Sequence, residues 1–378
     1  MSAGHPADRV VRIAAIVTEY RYNSHADMIV GRLLGDLGYE PKIRVVSLYT
    51  DQVPDNDMSR EASERLGIPI YRTIREAVRA EHCPEPIDGV VIIGEHGKYP
   101  INEKEQMLYP RKRMLEETLN ALDELGRIVP IFSDKHFSCD TQEALWMYNE
   151  LKKRGIPFMG GSSIPHTDPV PAYDQGKLRT LKEILVISHS TLVEAYGFHA
   201  LEVLQAVAEQ RSGGETGVQS VEVLQGAEVW EAMDRGAWPE NLMHHALAAF
   251  PGLDAAHPRV PEPNPILMFI HYLDGTQGYV LQFRSLVEQW GFACRNAEGE
   301  VIAALQNSGQ DRPFHHFERL TRLIEQLMLT RKPPFPMERT LMTTVLTNAV
   351  VDAWYDKRKV ETPELAIAYQ TASGTESA

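Results

Sequence analysis

Cysteine is scarce. Cys83, Cys139 and Cys294 are the only three in 378 residues, widely spaced and without a CxxC pair. An odd, scattered set excludes a disulfide framework and points to reduced thiols in a cytoplasmic protein. Long apolar runs are missing too: none approaches the ~20 residues of a membrane span, and the polar stretch 1–12 holds no apolar signal core. Basic charge is in deficit, with Lys plus Arg at 38 against Asp plus Glu at 52, a net −14. That balance removes nucleic acid and anionic membranes as expected partners and leaves a small molecule. No internal repeat is present.

What remains is ordinary globular composition, 43% hydrophobic and 24% charged, in a chain long enough for two domains. Apolar, β-branched runs at 10–17, 43–48, 68–71, 88–94, 128–132 and 156–160 alternate with helical patterns at 26–34, 59–66, 73–80, 110–126 and 141–154. Strand alternating with helix predicts a Rossmann-like, doubly wound parallel sheet over residues 1–165. From 166 to 370 the rhythm changes to an α+β pattern with a largely antiparallel sheet. Strands are predicted at 183–188 and 218–223, with hairpins at 266–283 around Asp274-Gly275 and at 292–305 around Glu298-Gly299. Helices are predicted at 197–210, 314–329 and 338–356, and a disordered tail at 371–378.

The stretch 131–139 organises the rest. Ile131-Phe132 runs into Ser133-Asp134-Lys135-His136, and a helix pattern follows at once. A buried strand would thus deliver Asp134, Lys135 and His136 to the carboxyl edge of the sheet, where open α/β folds bind ligands. Other strand ends carry similar chemistry: Glu19, Tyr20 and His25 after the first, Glu95 and His96 after the fourth, His166 and Asp168 after the last. Imidazoles gathered with carboxylates suit a divalent metal such as Zn, Mn or Fe. The metal candidates are Glu19, His25, Glu95, His96, His136 and His166, with Tyr20, Asp134 and Asp168 toward substrate. The pairs His244-His245 and His315-His316, and the run Arg111-Lys112-Arg113, read as surface residues.

The order of the motifs resembles the Gfo/Idh/MocA family of sugar and polyol dehydrogenases. Asp134-Lys135-His136 followed by Thr141-Gln142-Glu143-Ala144 is similar to that family's Glu-Lys-Pro and Thr-x-x-Glu-Ala. Gly197-Phe198-His199-Ala200-Leu201-Glu202 is similar to its Gly-x-His-x-x-Asp. The hairpin at Tyr272 to Thr276 and the ending from Lys332-Pro333 to Thr362-Pro363 are similar as well. The resemblance implies Lys135 on the reacting hydroxyl or carbonyl, His199 passing the proton, Glu202 orienting it or binding substrate, and homo-oligomers built through the open face of the second sheet. One feature departs. The family's phosphate-binding glycines are replaced here by Val17, Glu19 and Tyr22, so a carboxylate stands where a diphosphate would lie. Asp51, after the second strand, is the one ribose acceptor on offer. The sequence therefore predicts a non-redox, metal-assisted enzyme (a lyase, hydrolase or isomerase) acting on a sugar-like or hydroxy-carbonyl molecule. An NAD(P)-dependent oxidoreductase is the alternative, and an inactive binding or scaffold homologue the third.

Overall fold

The computed structural model describes residues 10–253, 256–309 and 311–371; the predicted tail, beyond Thr371, lies outside them. The first half runs β1 (Arg12–Val17), α1 (His25–Leu33), β2 (Arg44–Thr50), α2 (Ser59–Leu66), β3 (Ile70–Tyr71), α3 (Ile74–Arg79), β4 (Gly89–Ile93), α4 (Arg111–Glu124), β5 (Ile131–Asp134), α5 (Thr141–Arg154) and β6 (Phe158–Gly161). The strands pair in the order β3-β2-β1-β4-β5-β6, all parallel. Their residues are buried on both faces: β1 sends Ala14 and Ile16 into one apolar cluster and Ile13, Ala15 and Val17 into another. That two-sided burial is why these strands read as continuous apolar runs rather than alternating ones. Local chemistry agrees with the predicted boundaries. Thr73 and Glu76 form a capping box on α3. Asp140 caps α5, which closes on the left-handed Gly155.

The second half continues with β7 (Pro169–Val170), β8 (Leu181–Ser188), α6 (Val193–Ala208), β9 (Val218–Gln225), α7 (Ala227–Asp234), α8 (Glu240–Ala248), β10 (Ile266–Tyr272), β11 (Gln277–Gln282), β12 (Trp290–Asn296), β13 (Val301–Gln306), α9 (His315–Thr330), α10 (Met337–Asp356) and β14 (Val360–Glu361). An eight-stranded sheet forms in the order β14-β9-β10-β11-β8-β12-β13-β7. It is antiparallel except where β11 meets β8. Alternate residues face opposite ways: Ile184, Val186, Met268 and Val280 lie with α6 and α10, whereas Leu185, Ile187, Leu267 and Leu281 lie under Trp230, Trp238, Leu242 and Met243.

That second layer corrects the sequence reading, which left 224–265 unassigned. Helices α7 and α8 pack on one face of this sheet, over Leu185, Ile187, Leu267 and Leu281. Helices α9 and α10 return to the first sheet. α9 packs on α1, and α10 touches α5, β6, α6 and β9, tying the two sheets together around the β5 and β6 edges.

Candidate active site

Strand β5 ends in two consecutive residues that support histidines on different helices. Asp134, 1% exposed, holds His25 at the start of α1, Oδ2 to Nδ1 2.6 Å. Lys135 reaches the other way: its Nζ lies 2.8 Å from Nε2 of His199 on α6 and 3.6 Å from the Glu95 carboxylate. Lys135 takes a left-handed backbone (φ 66°), as does His96 (φ 68°). Such a conformation costs about 1–3 kcal/mol for a residue with a Cβ and persists where surrounding contacts over-determine it. Here the Lys135 backbone is clamped to Gly161 in both directions. Gly161 must be glycine: a Cβ there would fall 2.6 Å from Glu202 Oε2.

Electrostatics fix the protonation states. Burial pushes the Glu95 carboxyl up, but the Lys135 ammonium and then Arg111 (Nη2 to Oε2 2.7 Å) outweigh it and hold the group well below the usual carboxylate range. Burial, then Lys135, pushes His199 well below 6.5, so it is neutral. Because its Nε2 faces the Lys135 ammonium, its proton sits on Nδ1 and is donated to Ser162 Oγ at 2.6 Å. Ser162 Oγ also accepts from the Ile164 amide.

These residues open on a cavity of about 450 Å³ lined by His25, His96, His189, His199, His316, Lys135 and Trp290, among others. Burial lowers His96 to about 4, His189 to about 4 and His316 to about 3. The cavity is therefore walled largely by neutral imidazoles. The sequence reading missed His189, Ser162 and Trp290, and took His316 for a surface residue. Only His315 is exposed; His316 turns in to Ser163, Nδ1 to Oγ 2.7 Å. The signal for His189 was available: it follows a buried apolar strand, as His136 does.

Other candidates fall elsewhere. Glu202 does not orient His199. It is buried, accepts from the Ser162 amide at 3.1 Å, and its pKa is raised by burial. Tyr20 is a core residue, 1% exposed. His166 stacks on Phe335 outside the cavity lining. Asp168 pairs with Arg319 at the surface. His136 bonds Glu194 at 2.9 Å, and Glu19 pairs with Arg21 at 3.0 Å. Arg111, read as a solvated helix residue, is 3% exposed.

Of the metal candidates, Glu19, His136 and His166 lie off this cavity, and of the three that line it, His25, Glu95 and His96, Glu95 is already taken by Arg111 and Lys135. Among the described residues the single His/Glu group close enough to share an ion is Glu240, His244 and His257, at α8 on the far face of the second sheet. The expected Zn, Mn or Fe centre at the strand tips is not assembled.

The turn after β1 shows how the lost glycines are replaced. Ser24 caps α1 by accepting from the Asp27 amide. The Asp27 carboxylate takes the Asn23 amide at 2.8 Å and Arg312 at 2.6 Å. A helix N-terminus ordinarily free to receive phosphate is filled by the chain's own groups. Asp51 is also engaged, by Tyr49, Tyr99 and Arg113. A dinucleotide cradled on glycine amides at this helix does not fit these residues.

No family model and no curated protein matches the sequence. Solved structures do. The chain aligns with GenD2 from gentamicin A biosynthesis in complex with NAD at TM-score 0.61 and 12% identity, over 96% of this chain and 99% of that one. It aligns with myo-inositol 2-dehydrogenase from Lactobacillus plantarum at TM-score 0.60 and 11% identity, over 93% and 99%. A third match is scyllo-inositol dehydrogenase from Lactobacillus casei with bound NAD(H) and scyllo-inositol, at TM-score 0.59 and 12% identity, over 93% and 99%. The fold is that of the Gfo/Idh/MocA dehydrogenases. This overturns the non-redox, metal-dependent expectation and the low standing given to NAD(P): end-to-end structural neighbours include inositol dehydrogenases, and two neighbours hold NAD or NAD(H). Among the described residues, no helix is long and apolar enough to cross a membrane.

Proposed function

We propose that this chain is an NAD(P)-dependent oxidoreductase acting on a hydroxyl or carbonyl of a sugar- or polyol-like molecule, in the cavity beside Lys135. The observation that carries the reading is the Lys135–His199 pair, 2.8 Å apart at the edge of that cavity, within a fold shared with inositol dehydrogenases. The nicotinamide cofactor enters on that likeness. Its diphosphate would need a mode other than the glycine cradle, and the nearest cations to supply one are Arg21 and Arg312 beside the β1–α1 turn.

The chain's own residues handle the proton. Lys135, its Nζ 3.6 Å from the Glu95 carboxylate, can donate to a carbonyl oxygen that gains charge. In the oxidation direction the Nε2 lone pair of neutral His199 accepts a proton from Lys135 while Ser162 steadies the Nδ1–H, and in reduction the imidazolium so formed returns that proton. His25, buttressed by the Asp134 carboxylate, lines the same cavity and holds a second substrate hydroxyl. The imidazole-lined wall offers each hydroxyl a partner that both accepts and donates.

The test is a fluorescence titration with NADH and NADPH, followed by an NAD(P)-coupled absorbance assay over a panel of inositols and aldoses. Saturable binding and turnover lost in Lys135→Met support the reading. Absence of both cofactors' binding at millimolar concentration removes it and leaves the scaffold alternative.

A further inference from the structure

A second cavity meets the first at Glu95, Lys135 and Ala195, and its character is opposite. It measures about 220 Å³, and its apolar lining is Ile101, Met107, Tyr109, Val193, Phe198 and Trp354, with Lys104, Glu105 and Glu194 also on its wall. Much of this wall comes from residues 94–110, the connection from β4 to α4. Connections of this kind usually take about 2–6 residues, and longer ones are commonly functional. The segment is built: Asn102 and Gln106 bond through side chain and backbone, Ile101 bridges Met107, and Lys104 is anchored to Asp352 on α10 at 2.6 Å. Apolar side chains stand open at its mouth, Ile101 64% and Leu192 49% exposed. At its inner end stand Arg111 and His136, both 3% exposed.

We infer that this chamber receives an apolar arm of the substrate, so that the preferred substrate is a hydroxylated head carrying an alkyl or aryl substituent rather than a free polyol. The inference rests on the reading of Lys135 above, since Lys135 joins the two chambers. The polar head lies among the imidazoles, and the arm lies against Phe198, Tyr109 and Trp354. At roughly 30 Å³ per carbon-sized group the chamber holds an arm on the order of six to eight carbons.

The experiment is calorimetric titration with methyl, butyl and hexyl β-D-glucoside below their micellar concentrations, on the parent protein and on Leu192→Glu. Leu192 is half-exposed, so the variant keeps its fold, which circular dichroism checks. Affinity is expected to rise about tenfold for roughly every two methylene groups buried, and Leu192→Glu is expected to erase most of that rise while leaving the methyl glucoside unchanged. Equal affinities along the series, a rise that Leu192→Glu does not touch, or no heat from the hexyl compound would overturn the assignment. A length-dependent gain without any reduction of NAD+ or NADP+ when the same glucosides are assayed for turnover would leave the chamber assigned and bring down the oxidoreductase reading instead.

Discussion

His166 offers a clean measure of how far burial controls this protein's behaviour with pH. Its ring stacks on Phe335, centroids 5.7 Å apart and planes 14° apart. Burial, with a smaller push from Arg339, lowers its pKa from 6.5 to about 3. The folded state therefore keeps a neutral imidazole at every pH above about 3, whereas the unfolded chain takes up a proton as pH falls through 6.5. The neutral form's contribution is fully present above 6.5 and is lost progressively as pH falls from there toward the folded pKa. At pH 5, one and a half units below the unfolded value, the loss from this one residue is about 2 kcal/mol at 1.36 kcal/mol per unit. Urea denaturation of the parent and of His166→Phe, at pH 7 and pH 5, tests this. Phenylalanine keeps the stack and removes the titration, so its stability should fall by about 2 kcal/mol less than the parent's over the same interval. Comparing the two intervals cancels any packing cost of the substitution itself. If both proteins lose the same free energy between pH 7 and 5, the claim that the fold holds His166 neutral is wrong.

Three further outcomes follow from the site. Lys135→Met should raise the pKa of His199, because the ammonium is a main cause of its depression after burial; an NMR titration showing it unchanged or lower would count against the pairing, and turnover should fall by about 10²–10⁴-fold. Arg312→Ala strips Asp27, 2% exposed, of its ion pair. A loss of about 1–3 kcal/mol is expected in urea, less than the full cost of an unpaired buried charge because the arginine is partly solvated and Asn23 still donates; a loss within error of zero would show the turn is held by something else. Asp134→Asn keeps the shape but removes the anion beside His25, and about 1–2 kcal/mol should go with it; thermal melting identical to the parent would deny that contact any weight.

Much of the first domain's architecture was legible because each strand is buried on both faces and each helix carries its own stop. Thr73, Asp140 and Gly155 act locally, within a turn of where they stand in sequence. Helices α7 and α8 were legible in principle, since Val229, Trp230 and Met233, and then Leu242, Met243 and Ala246, recur at helical spacing. Their consequence was not legible. Whether the second sheet's outer face is open or covered depends on where two helices dock, and nothing local to them states that.

The site was legible as composition and misread as chemistry. Polar residues at strand ends do converge, yet a list of imidazoles and carboxylates cannot tell one shared ion from several private pairs. The difference lies in direction. Asp134 and Lys135 are neighbours in the chain, and the turn that begins at Lys135 sends their side chains to α1 and α6 respectively. Glu95 is claimed by Arg111 and Lys135, His136 by Glu194, and Glu19 by Arg21. A metal needs lone pairs aimed at one point, and each of these is already aimed at a cation or a proton. The same reasoning governs the β1–α1 turn. Glu19 looked like a bar to any phosphate when read alone, but it is paired with Arg21, as Asp27 is with Arg312. What the turn lacks is the glycine amide cradle, not positive charge. An anion arriving there would have to draw Arg21 or Arg312 away from its present partner.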